Sequence, residues 1–161
     1  MTDTIAQRYY RSLIGSWSGQ FTLEIRDKHA LQSLAWRTRL MGFWAAIDGK
    51  ASMSTTLEEV SPLLFRHTTK VSSMGVPALW SEETISLHDD GTSFVIEGTQ
   101  HMPTWHEPYR GDGVISADAR KADYPISWLG MPMRQRTEIQ PEGLLLTQET
   151  SWSFASVLLR R

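Results

Sequence analysis

Apolar and polar residues alternate along most of this chain with a period of two. Trp17, Gly19, Phe21, Leu23 and Ile25 alternate with Ser16, Ser18, Gln20, Thr22, Glu24 and Arg26. Such a run places one face against a core and the other in water, which is the pattern of a half-buried strand. The alternation returns in Leu34, Trp36, Thr38 and Leu40, in Met53, Thr55 and Leu57, and in Phe65, His67, Thr69 and Val71. Further strands are expected near 79–88, 92–101, 109–116, 121–128, 133–140 and 144–159, the last long enough to bend or divide. Turn chemistry separates the runs at Asp48-Gly49, Ser61-Pro62, Asp89-Asp90-Gly91, Ser116-Ala117-Asp118 and Pro141-Glu142-Gly143. Only the N-terminus breaks this rhythm. Ile5, Tyr9, Tyr10, Leu13 and Ile14 share one face at helical spacing, which predicts a short helix over about 4–14. Asp3 or Thr4 would cap it, and Gly15 would end it.

Roughly eight to ten closely spaced strands without intervening long helices predict consecutive antiparallel hairpins rather than a βαβ sheet. A chain of 161 residues suits one domain. The expectation is therefore all-β: a single antiparallel up-and-down barrel over 1–161, with a two-layer sandwich as the alternative. Closure removes the exposed edges that so many strands would otherwise present. The stretch Gly42–Ile47, with Phe43 and Trp44, lacks alternation and reads as a hydrophobic loop or a lid across a barrel mouth. Gly111-Asp112-Gly113 reads as a bend or bulge within a strand.

Composition narrows the chemistry. Cysteine is absent, which excludes disulfides, thiolate catalysis and CxxC metal sites. A net charge of -2 supplies no general field for nucleic acid. No apolar run is long enough to span a bilayer, and no apolar signal core follows the N-terminus, so a cytoplasmic protein is expected. Seven tryptophans are the outstanding excess. With seven methionines they suit an aromatic cavity for a small hydrophobic molecule as well as a core.

The helix followed by Gly15-Ser16-Trp17 resembles the G-x-W signature of the calycin superfamily. The counterpart of the lipocalin T-D-Y motif reads Ala122-Asp123-Tyr124, so the resemblance is to the nitrobindin and fatty-acid-binding branches. It implies that Trp17 closes one end of a barrel and that a basic residue of the last strand, Arg160, packs across it as a cation–π partner. Nitrobindin-like proteins hold haem through a late histidine. No histidine follows His106 here, so a cofactor-free site is expected, with haem as a minor alternative.

Two functional readings follow. In the first, the barrel binds a small apolar molecule lined by Trp36, His67, Trp80, Trp105, Gln135, Gln148 and Trp152, with Phe43 and Trp44 as the lid. His67, Gln135 and Gln148 fall in phase with apolar neighbours, and a mixed lining suits an amphipathic ligand. In the second, a cofactor-free isomerase, cyclase or dehydratase moves a proton with His101, His106, Glu107 or Tyr109, which lie with two prolines in an expected rim loop. A barrel filled by its own side chains and acting through protein contacts is a third possibility, and self-association is left open. The histidine spacing does not match a helical zinc motif, so no metal is expected. Arg37 with Arg39 and Arg134 with Arg136 read as outer-face residues in cross-strand ion pairs.

Overall fold

In a computed structural model, residues 2–33, 35–36, 39, 51–103, 105–128 and 131–161 are described. Helix α1 (Ile5–Ser12) leads into ten strands: β1 (Gly15–Ile25), β2 (Ala51–Ser61), β3 (Leu64–Ser73), β4 (Val76–Leu87), β5 (Ser93–Met102), β6 (Trp105–Ile115), β7 (Lys121–Trp128), β8 (Met131–Gln140), β9 (Gly143–Glu149) and β10 (Ser153–Leu159). Each strand pairs antiparallel with the next, and β1 also pairs with β10, from Phe21 opposite Val157 to Ile25 opposite Ser153. The sheet is a closed barrel. The long run at 144–159 divides at residues 150–152 into β9 and β10.

The stretch expected as a strand at 33–40 behaves differently. Asp27 caps a second short helix, α2 (Lys28–Gln32), by accepting from the Ala30 N–H at 2.9 Å. Beyond it, Trp36 and Arg39 also lie on helical backbone, with Arg39 N–H donating to the Ala35 carbonyl. The alternation there is short, and a capping aspartate ahead of Ala30, Leu31 and Gln32 favours helix. The proposed lid residues Phe43 and Trp44 lie outside the described residues, as does Arg37.

Helix α1 plugs one end of the barrel. Thr4 and Gln7 form a capping box, each side chain bonded to the other's backbone N–H. The helix is fastened to two turns, by Ala6 N–H to the Gly91 carbonyl and by the Gln7 amide to the Pro62 carbonyl. Its buried face, Ala6, Tyr9, Tyr10 and Leu13, enters the core. Tyr10 packs there against Phe65 and edge-on against Phe94, and Phe94 meets Tyr124 edge-on at 5.5 Å. Gly113, expected at a bend, sits in regular β6 beneath Phe94, where a Cβ would lie 2.2 Å from the ring.

At the C-terminal end of α1, Trp17 donates its indole N–H to the Leu13 carbonyl at 2.8 Å. The cation over the Trp17 ring is Arg161, at 4.7 Å, and it also donates to the Ser12 carbonyl. The expected partner, Arg160, instead exchanges backbone hydrogen bonds with Ser18 and stays exposed. The correction is one of parity. Leu159 points inward, Arg160 points outward, and only the next residue can fold back across the barrel end. Indole and guanidinium together satisfy helix-end carbonyls that have no partner within the helix.

Burial raises the Tyr9, Tyr10 and Tyr124 phenols above their ordinary value of 10.0, with the Glu83 carboxylate adding to the effect at Tyr10 and Tyr124. The folded state therefore holds these protons more tightly than the unfolded chain. The stability this contributes is complete below about pH 10 and is lost as pH rises beyond it. Urea midpoints measured from pH 8 to 11, with tyrosinate absorbance in parallel, should fall above pH 10. A flat or rising midpoint there would contradict the burial of these phenols.

Candidate functional site

The interior chemistry starts from one cross-strand row. The register aligns Leu57 of β2, His67 of β3, Glu83 of β4, Gly98 of β5 and Tyr109 of β6. All five share the inner face. Glu83 is only 7% exposed and is the one charged side chain buried among the described residues. Its two oxygens are divided between neighbours: the Tyr109 hydroxyl donates to Oε1, and His67 Nδ1 meets Oε2. As a carboxylate Glu83 can only accept, which places a proton on His67 Nδ1. His67 Nε2 meets Thr55 Oγ1, and Thr55 in turn donates to the Thr68 carbonyl at 3.0 Å.

Gly98 makes this reach possible. It stands between Glu83 and Tyr109 in the row, and a Cβ there would lie 2.5 Å from the Glu82 carbonyl oxygen and 2.8 Å from Glu83 Cγ. Without a side chain at Gly98, the phenol crosses to the carboxylate. Burial first, and then the Glu83 charge, raise the Tyr109 phenol well above its ordinary value, so it stays a donor.

Beside this row the barrel is not filled. A cavity of about 110 Å³ occupies the end opposite α1. Phe21, Leu23, Met53, Val71, Leu79 and Ile126 supply its apolar wall, and Ser81, Glu83, Gln100, Gln135 and Gln148 its polar positions. The register of β3 and β4 slips between Val71 and Ser72, so adjacent residues Ala78 and Leu79 both line the space. Gln148 donates to Gln135 Oε1 at 2.8 Å, and Gln135 donates to the Tyr124 hydroxyl at 2.5 Å. A smaller cavity of about 50 Å³ lies beneath α1, lined by Trp17, Tyr9, Tyr10, His67 and Thr137 among others. Among the described residues no group of three or more His, Asp or Glu could hold a metal, and no helix is long and apolar enough to cross a membrane.

The chain matches no protein-family model and no curated protein. Among solved structures it resembles Rv2717c from M. tuberculosis, with a TM-score of 0.59 and 10% identity over 99% of this chain and 100% of that one. Looser likenesses are the wild-type fluorescent protein UnaG (TM-score 0.46, 12% identity, 92% of this chain and 97% of that one) and the redesigned β-barrel b11L5F_LGL (0.44, 11%, all of both chains). The shared fold is a closed antiparallel barrel.

Within this barrel the five histidines are dispersed. Of the five histidines only His67 lies on the inner face, and Glu83 and Thr55 engage both of its ring nitrogens. His29 and His88 are exposed. His101 stacks on Trp80 at 5.4 Å on the outer face, with His106 beside it.

The residues singled out from sequence therefore separate. His67, Gln135 and Gln148 lie inside, where His67 lines the smaller cavity and Gln148 the larger; Gln135 lines both. Trp36 is 62% exposed. Trp80 is on the outer face, opposite Lys70 and His101. Trp105 is half-buried on the inner face near the open end, and it lines neither cavity among the described residues. Trp152 is fully buried, and its carbonyl accepts from the Arg26 and Asp27 N–H groups. Among the described residues the cavity wall is thus aliphatic and phenyl rather than indole.

The expected rim loop is the β5–β6 hairpin, and alternation splits its polar residues. His101 and His106 face outward. Glu107, which accepts from the Ser127 hydroxyl at 3.0 Å, and Tyr109 face inward. The four do not converge. Sequence reasoning missed Glu83, Gln100 and Ser81, although Ser81 and Glu83 fall in phase with Ile85 and Leu87. Arg134 and Arg136 do lie outside, but both grip Asp123, at 2.7 and 2.9 Å, and hold its carboxyl below the usual range.

The Tyr109–Glu83 contact has a measurable coupling. Tyr109→Phe leaves Glu83 Oε1 without its donor and should cost about 1–3 kcal/mol. Glu83→Met should cost more, since it strands both Tyr109 and His67. Urea unfolding of the double variant should show a loss smaller than the sum by about 1 kcal/mol or more. Strict additivity would show that the two side chains do not interact.

Proposed function

We propose that the barrel binds a small, mostly apolar molecule in the cavity opposite α1, held by side chains without a cofactor. The observation that carries this reading is the unfilled space itself: an apolar wall with a few convergent polar groups, at the barrel end that α1 does not plug. A cavity near 110 Å³ suits a ligand about the size of one aromatic ring, since an engineered void of ~150 Å³ takes up benzene.

Proton transfer on such a ligand is a second reading, favoured by a carboxylate at the cavity wall in contact with a phenol and an imidazole. In that case Glu83 is the acid–base group, oriented by His67 and Tyr109, in place of His101, His106 and Glu107. It would act in a water-poor site where small changes in geometry strongly bias proton position.

Toluene titrated into protein with ¹³C-labelled Met and Ile methyls should shift Met53 and Ile126 saturably. Ala78→Leu, which places new methyls in the cavity, should abolish those shifts while leaving the melting temperature within a few degrees of the parent. Shifts that persist unchanged in Ala78→Leu would place the ligand elsewhere.

A further inference from the structure

We propose that the ligand of this cavity presents an O–H or N–H donor and carries no negative charge; this deepens the cavity-binding reading and rests on it. Gln100 lines the cavity and is 5% exposed, and its carbonyl oxygen Oε1 is buried with no hydrogen-bond partner among the described residues. A buried acceptor left unpaired keeps its full desolvation penalty, and a ligand donor removes it. Gln135 and Gln148 do not serve it: they donate elsewhere in the wall, to Tyr124 and to Gln135, and neither bonds Gln100 Oε1.

The charges point the same way. Glu83 is the one ionisable residue lining this cavity among the described residues. No cation faces it there. Arg134 and Arg136 hold Asp123 on the outer surface, Arg26 lies over Phe154 at 4.2 Å, and His67 is committed to Glu83 and Thr55. A carboxylate ligand would enter a low-dielectric space beside the Glu83 carboxylate, with no lysine or arginine among the described lining residues to neutralise it. A phenol, alcohol or amine meets acceptors.

Phenol, toluene and benzoate, titrated at neutral pH against the labelled Met53 and Ile126 methyls, separate the possibilities. Water solvates phenol better than toluene, so burial alone favours toluene, and a preference for phenol requires a polar partner inside. Phenol should bind at least tenfold tighter than toluene, and benzoate should leave the cavity methyls unmoved. Gln100→Met, which keeps the length of the side chain without its amide, should bring phenol down to the toluene level while toluene still binds. Gln100→Leu provides the same comparison should the methionine variant not fold, and toluene binding certifies an intact cavity in either. Toluene binding as tightly as phenol, benzoate displacing phenol, or a phenol preference that survives loss of the amide would each overturn the inference while leaving the cavity reading intact. If none of the three compounds moves the methyls of the parent protein, the cavity reading fails and this inference with it.

Discussion

Pairing between β1 and β10 is the constraint on which everything else depends. Once the sheet is closed, every residue on ten strands is committed to the inside or the outside, and no edge remains at which register can slip cheaply. Closure also fixes the width. An eight-stranded barrel is about as wide as its own side chains can fill, and ten strands enclose more. The surplus is handled differently at the two ends. At one end α1 supplies Ala6, Tyr9, Tyr10 and Leu13 as a plug over Phe65 and Phe94. At the other, the slip beside Val71 and the short side chains Ala51, Ala78 and Ser81 leave the space open.

Into that interior the chain places a single buried carboxylate among the described residues, and the surrounding row explains how it is tolerated. Glu83 is bonded on both oxygens, and the groups that serve it come from the strands to either side, β3 and β6, with β5 passing beneath through Gly98. An isolated charge there would be strongly disfavoured, whereas a fully bonded one costs far less. The arrangement also pins register. A shift of one residue in any of four strands would bring an apolar or outward side chain opposite the carboxylate and leave it unserved.

The strands were legible because period-two alternation records which face of each is buried, and the β1 pattern survives in the structure residue for residue; closure itself followed from the number of strands and the need to cover their edges. The site was less so, for reasons visible in particular positions. Glu83, Ser81 and Gln100 carry the inner parity of Ile85, Leu87 and Met102, but a charged residue beside Glu82 reads as surface by composition, and parity alone does not reveal its partners. The same parity sends Trp80, His101 and His106 outward, so their nearness in sequence to Glu107 and Tyr109 does not amount to nearness in space. The tryptophans misled because burial and cavity lining are separate properties. Trp152 is buried at a turn where it holds α2's approach, and Trp17 caps a helix end. Arg161 was missed by one position because only the strand ladder decides which of two adjacent arginines turns inward.

That last contact gives the molecule a temporal order. Trp17 and Ser12 lie at or before the first strand and Arg161 just after the last, yet they meet over the end of α1. The partner strand of β1, β10, is likewise the last of the ten to emerge. A growing chain can form hairpins from β2 onward as they appear, since those contacts are local. The plug, however, has no complete ring to sit in until the final strand arrives, and its apolar face stays in water until then. Closure of the ring and the seating of α1 are therefore coupled, since β10 must pair with β1 before the plug has a complete wall to pack against.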